Sequence, residues 1–226
     1  MKVVEVIPPI RTQPEIVSRL VNLSYKWGHP PVVAKDTPGF IINHAGRAYG
    51  TESLKILNEN VANIHEIDRI LKQNLGFKMG PFELLDLTGL DVSHPVMESV
   101  YEQYYQEPRY RPNVLTKQML TAKQLGRKTG QGFYRYEAGQ KLDEQPAIQV
   151  EKLAEYPAVW IAADFEADRQ ALTDYLNTHQ ISMDTQDYPA ADSLILVASY
   201  GEDTSSSIQR LNLDPTRTVA IDLING

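Results

Sequence analysis

The hydrophobic period of this chain changes partway along, and that change limits it to a two-part architecture. Between residues 11 and 125 apolar residues recur at helical intervals, as in Ile16, Leu20, Leu23 and Trp27, or in Ile64, Ile67, Ile70 and Leu71. Thr12-Gln-Pro14-Glu15 and Asn63-Ile-His-Glu66 carry capping-box spacing ahead of those two runs. Further on, residues 158–163, 193–198 and 218–223 are short apolar runs that alternate with helical segments at 166–179 and 205–211. Strands alternating with helices predict a small parallel sheet. Residues 137–155 are polar, contain Gly139 and Pro146, and show no period, so they read as a linker. The expected fold class is mixed: an all-α bundle over 11–137, a linker over 138–155 and a small α/β domain over 156–226. Residues 1–7 (MKVVEVI) read as a separate strand.

Charge follows the same division. Residues 1–137 hold 17 Lys/Arg against 14 Asp/Glu, whereas residues 138–226 hold 5 against 15. So acidic a second half argues against a nucleic-acid partner, because phosphate neutralisation supplies that affinity. No apolar run approaches the length of a membrane span, so no membrane partner is expected. The chain has no cysteine, which excludes disulfides and thiol chemistry and fits a reducing cytoplasm. No metal site is expected.

Three motifs punctuate the helical part. Residues 35–47 (KDTPGFIINHAGR) place Pro38 and Gly39 at the opening of an apolar helix, capped by Asp36 or Thr37 and running to about Glu59. Asn43 then lies one turn inside that helix, on a face shared with Arg47. By itself such an Asn is a helix-interior polar residue facing solvent or capping a neighbour. His44 points about 100° around the helix from Asn43 and is read as structural, not as a general base. Residues 79–86 (MGPFELLD) supply a glycine for the turn and a proline for the first helical position. Asp91 to Gln106 reads as a further helix with Val96, Val100 and Tyr104 on its buried stripe. In residues 126–134 (GRKTGQGFY) the pair Gly130-Gln-Gly132 lacks the third glycine of a phosphate loop and runs into a strand, so it forms a structural turn and not a phosphate cradle.

The order and spacing of these motifs resemble the C-terminal domain of the NAD-dependent 3-hydroxyacyl-CoA (3-hydroxybutyryl-CoA) dehydrogenases. The resemblance implies a parent enzyme that oxidises an L-3-hydroxyacyl-CoA to the 3-ketoacyl-CoA and passes hydride to NAD. It implies that Asn43 faces the active-site cleft as a catalytic residue, since an amide both donates and accepts without a charge. It implies that Glu5 orients a catalytic histidine, which would belong upstream of Met1 together with the glycine-rich NAD motif. Met79, Gly80 and Pro81 would lie beside the acyl pocket as substrate-binding residues. On this basis residues 1–10 are expected to be a remnant of the nucleotide-binding domain. The chain would be the substrate-pocket and dimerisation part, inactive alone and without a cofactor site of its own.

The second part resembles, by order and length alone, the reduced Rossmann-like insert of longer bacterial members, including those of phenylacetate catabolism. Between Glu151 and Gly226 its only glycines are Gly201 and Gly226, and Asp164, Glu166 and Asp168 crowd the first strand-to-helix turn. The alternative function is a non-catalytic dimerisation or binding module. A homodimer is expected through residues 38–125, with Leu84, Leu85, Leu87, Val96 and Val100 supplying apolar surface. The strand at 1–7, without its sheet, is expected to be frayed or recruited by another chain.

Overall fold

The computed structural model describes residues 3–142 and 156–223, which form two compact units, one on each side of the segment 143–155. Mixed architecture is what the change of hydrophobic period requires.

The first unit opens with a β-α-β element. Strand β1 (Val4–Val6) leads into helix α1 (Pro14–Lys26) and returns as β2 (Pro31–Val33), which pairs with β1 in parallel, Glu5 opposite Val32. The first strand is therefore neither frayed nor free; Gly28 at φ 77° turns the chain back after α1 and brings β2 alongside it. Helix α1 starts on Gln13 without any side-chain cap, so the expected Thr12 capping box is not formed; Pro14 alone marks the start. The stripe Ile16, Leu20, Leu23 and Trp27 stays exposed, with Trp27 at 64%.

No helix begins at Pro38. Gly39 (φ 83°) and Phe40 (φ 49°) both take left-handed backbone, and the helical path starts only at α2 (Ile42–Ala45), followed at Gly46 by α3 (Arg47–Asn58). A Cβ on Gly39 would press on the His44 backbone nitrogen at 3.1 Å, so glycine suits this bend twice over. Helix α4 (Ile64–Gln73) carries the expected capping box: the Asn63 carbonyl oxygen Oδ1 accepts from the His65 and Glu66 N–H groups, and Glu66 accepts from the Asn63 N–H.

Helices α5 (Pro81–Thr88), α6 (Leu90–Gln103) and α7 (Val114–Thr121) and the hairpin β3 (Tyr136–Glu137) with β4 (Gln140–Lys141) complete the unit. The hairpin claims residues 140 and 141 from the expected linker; residues 143–155 of that linker lie outside the described residues. In α6 the buried side is Leu90, His94, Met97 and Val100; of the expected stripe Val100 is interior while Val96 and Tyr104 are half-buried, because His94 finds a partner in Thr116 at 2.9 Å and can go inward. The core joins Leu54, Ile67, Phe82, Leu85, Leu90, Met97, Met119, Tyr134 and Tyr136. Leu85 and Val100 are thus interior and unavailable to a partner, whereas Leu84 and Leu87 are exposed.

Two buried aspartates bind the motifs to one another. Asp68 of α4 accepts from the Phe82 and Glu83 N–H groups (3.0 and 3.1 Å) at the start of α5 and from the Tyr134 hydroxyl (2.8 Å). Asp86 accepts from the Phe133 and Tyr134 N–H groups (both 2.9 Å) and from the Tyr136 hydroxyl (3.0 Å). A Cβ at Gly132 or Gly126 would collide with Asp86, which is why the turn is built from glycines.

In the second unit β5 (Val159–Ala163), α8 (Glu166–Thr178), β6 (Leu194–Ala198), α9 (Thr204–Leu211) and β7 (Thr218–Ala220) alternate, and the sheet is parallel in the order β5-β6-β7. Val159, Ile161, Leu172 and Leu176 fill one face and Ala162, Ile195, Val197 and Leu213 the other, as a parallel sheet covered on both sides demands.

Candidate functional site

Glu5 and Asn43 are brought together, and the backbone does it. The alternation of β1 directs Glu5 toward the bend after β2, where its Oε1 accepts from the N–H groups of Ile41 (2.8 Å) and Ile42 (3.1 Å). These are the free donors at the start of α2, and a carboxylate there meets both the hydrogen bonds and the helix dipole. Among the described residues Oε2 of Glu5 has no hydrogen-bond partner. Asn43, the next residue along, is exposed, and its amide makes no hydrogen bond within the described residues. The result is a carboxylate from β1 seated on the bend at Ile41 and Ile42, next in sequence to an exposed amide at Asn43.

His44 faces the other way. Its Nδ1 lies 3.2 Å from the Tyr104 hydroxyl and its Nε2 3.2 Å from that of Tyr110, with the two phenol rings 4.7 Å apart. Both ring nitrogens lie against a phenol oxygen, which is a positioning role for α2 and leaves no nitrogen for a substrate. Arg47 follows one turn after Asn43 and donates from Nη2 to the Asn43 carbonyl at 3.5 Å. Its Nε is buried and has no partner, and burial lowers its pKa.

The third group expected at the site is placed differently. Gly80 and Pro81 are buried, and a Cβ on Gly80 would collide with the Asp68 carboxylate. Their interior position comes from the docking of Asp68 onto the start of α5. Met79 is half-buried, and its carbonyl accepts from the Tyr49 hydroxyl at 2.6 Å. Burial first, then the Asp68 and Glu83 charges, push Tyr49 up to about 12, so it stays a donor. Through Tyr49 the loop is anchored on α3, the helix that carries Arg47. Tyr49, Tyr104 and Tyr110 escape a reading of the sequence: their partners lie 30, 60 and 66 residues away, with no local signal.

Comparison with known proteins falls on this same region. Residues 39–136 match the family described as 3-hydroxyacyl-CoA dehydrogenase, C-terminal domain. The 3-hydroxyadipyl-CoA dehydrogenase of Escherichia coli K12 is 41% identical over 138 residues, which are 61% of this chain and 29% of that protein. The mitochondrial hydroxyacyl-coenzyme A dehydrogenase of Sus scrofa is 37% identical over 136 residues, 60% of this chain and 43% of the relative. Among solved structures, the 3-hydroxybutyryl-CoA dehydrogenase of Escherichia coli K12 covers 100% of this chain with 42% of its own, at a TM-score of 0.69 and 30% identity. The (S)-3-hydroxybutyryl-CoA dehydrogenase PaaH1 of Ralstonia eutropha covers 61% of this chain with 48% of its own, at a TM-score of 0.58 and 36% identity. The chain spans less than half the length of these relatives.

Proposed function

We propose, from the match of residues 39–136 to the C-terminal domain of 3-hydroxyacyl-CoA dehydrogenases, that the chain is the substrate-holding part of an enzyme that oxidises an L-3-hydroxyacyl-CoA to the 3-ketoacyl-CoA with NAD. The observation that carries this reading is the Glu5 carboxylate seated on the Ile41 and Ile42 N–H groups. It fixes the bend so that the Asn43 amide is free to hold the oxygen on the substrate's third carbon as its charge changes. The second oxygen of Glu5 is left to receive an imidazole N–H, the arrangement that steadies a histidine base. Met79 contributes through the Tyr49 anchor and not by contact through Gly80 or Pro81.

Two of the chain's strand-to-helix turns do not fit a dinucleotide. After β1 the chain passes through Pro8 and Pro9, which have no N–H to offer a phosphate. After β5 the Asp164 carboxylate holds the turn, accepting from the Tyr200 N–H (3.3 Å) and Arg210 (3.2 Å), with Glu166 and Asp168 in the first turn of α8. No step through NAD is assigned to these residues, and residues 156–223 are read as a reduced Rossmann-like domain without nucleotide chemistry. The exposed apolar stripe of α1, with Ile16, Leu20 and Leu23, supports a surface that further protein covers. Leu84, Leu87 and Val92, at 38%, 49% and 52% exposure, support a homodimer through the helical unit. Among the described residues no helix is long and apolar enough to cross a membrane; a cytoplasmic setting is part of the proposal.

The test is kinetic. In the enzyme that joins this chain to a nucleotide-binding domain, Asn43→Ala should lower kcat/KM for acetoacetyl-CoA reduction by about 2–4 kcal/mol of transition-state stabilisation. An unchanged kcat/KM would reduce Asn43 to a structural residue and remove the proposal.

A further inference from the structure

We propose that the cavity between α4 and β4 is an anion site, and that Arg69, Lys72 and Lys141 hold a tetrahedral oxyanion there, a phosphate group. None of these residues belongs to the bend at residues 40–47, and the site does not depend on the acyl-CoA reading.

The cavity has a volume of about 110 Å³. That is room for a few waters or one tetrahedral ion, and well short of the ~300–1,000 Å³ that a cofactor-sized ligand needs. Part of its lining is a single face of α4, on which His65, Arg69 and Lys72 follow one another at spacings of four and three residues. Lys141 of β4 completes it, with its ammonium 4.3 Å from the centre of the Tyr134 ring.

Charge decides what the cavity can take. Glu83 carries one negative charge and meets two ammonium groups on the same oxygen, Lys72 at 2.9 Å and Lys141 at 2.7 Å. One lysine is enough to neutralise it, so the second is surplus. Each ammonium has three N–H donors and spends one on Glu83, which leaves both lysines with donors for a further acceptor. Arg69 adds a third cation; it is exposed and has no hydrogen bond or ion pair among the described residues. The other acid of the lining, Asp68, is already spent on the Phe82 and Glu83 N–H groups and the Tyr134 hydroxyl, and burial pushes its carboxyl up. With both acids ionised the cations still lead by three to two. A phosphate, with its charge spread over several oxygens, can accept from two ammonium groups and a guanidinium fork together, whereas a carboxylate has only two oxygens for the three.

Titration calorimetry of the chain with inorganic phosphate, at an ionic strength held constant with sodium chloride, tests this. Saturable binding is expected, with a dissociation constant on the order of 1 mM because the surplus is a single charge. Arg69→Met should weaken it about tenfold, the effect of one charge-assisted contact, and the exposed position of Arg69 keeps the fold out of question. Lys141→Met should weaken it likewise. Glu83→Gln, which removes the opposing charge and keeps the shape, should tighten it. Coenzyme A, which carries a phosphomonoester, separates the sources of the group. If it displaces phosphate, the site takes the end of a larger molecule; if it does not, the site takes the free ion, and both results bear out an oxyanion site. No binding at tens of millimolar phosphate overturns the proposal. So does binding that Arg69→Met and Lys141→Met both leave unchanged, which would put the anion elsewhere.

Discussion

Replacing Asp86 with alanine should damage the first unit more than any exposed substitution in the site. The side chain is fully buried, and it accepts three hydrogen bonds, from Phe133 N–H, Tyr134 N–H and Tyr136 Oη. Alanine leaves two backbone donors in the interior with no acceptor, at ~1–3 kcal/mol each, and strands a phenol that is itself buried. Part of that loss is returned, because burial already pushes the Asp86 carboxyl up, a sign that the ionised form is held at a cost despite its donors. The net destabilisation comes to about 3–4 kcal/mol, a large share of the ~5–15 kcal/mol that holds a domain together. Asp86→Asn keeps one acceptor oxygen and turns an NH2 toward a donor, so it should lie between the two, near 2 kcal/mol. Urea unfolding by circular dichroism, combined with hydrogen exchange of the peptide 127–136, reads the effect. The second unit serves as an internal reference, since the hydrogen-bond partners of Asp86 all belong to the first unit. A loss below about 1 kcal/mol in Asp86→Ala would refute the argument that this carboxylate locks the two motifs together. An equal loss of protection in residues 156–223 would refute it as well.

Glu83 should give the first unit an acid limb: burial alone would raise its carboxyl, but hydrogen bonds from Lys141 (2.7 Å), Lys72 (2.9 Å) and the Gly80 N–H (3.2 Å) bring it from 4.5 down to about 2. A folded value below the unfolded one contributes stability that is complete above pH 4.5 and is lost as pH falls through 2, on the order of 3 kcal/mol. Glu83→Gln should flatten that part of the pH profile, and parallel wild-type and variant profiles between pH 7 and 2 would contradict it. Glu5→Ala should speed hydrogen exchange at Ile41 and Ile42 by about tenfold or more, as befits a lost helix cap; unchanged exchange would mean the bend holds itself. Light scattering should find a dimer at tens of micromolar that persists when the chain ends at residue 140, whereas a monomer there would remove the helical unit as the contact.

Local periodicity made the helices of the first unit and the parallel sheet of the second legible, because both follow from which residues repeat along the chain. What failed was set from a distance. The start at Pro38 was misplaced because the conformation of Gly39 and Phe40 answers to Glu5, some 36 residues earlier. The buried face of α6 was misjudged because His94 enters the core only by virtue of Thr116, 22 residues later. At the proposed site, the motifs point to Glu5 and Asn43, but the hydrogen bonds from Ile41 and Ile42 that seat Glu5 have no local signal. Nothing local reveals that Gly80 is buried against Asp68, 12 residues earlier. The unpaired state of Arg47 is a tertiary property, with no trace in its neighbours along the chain.

The central claim is that the bend at residues 40–47 holds an acyl-CoA. Amide chemical shifts of the 226-residue chain, recorded as acetoacetyl-CoA is added, test it without requiring turnover. The account predicts saturable shifts at Ile41, Ile42 and Asn43, weakened in Asn43→Ala. Shifts confined to residues 156–223, or none at the bend at millimolar thioester, would contradict it.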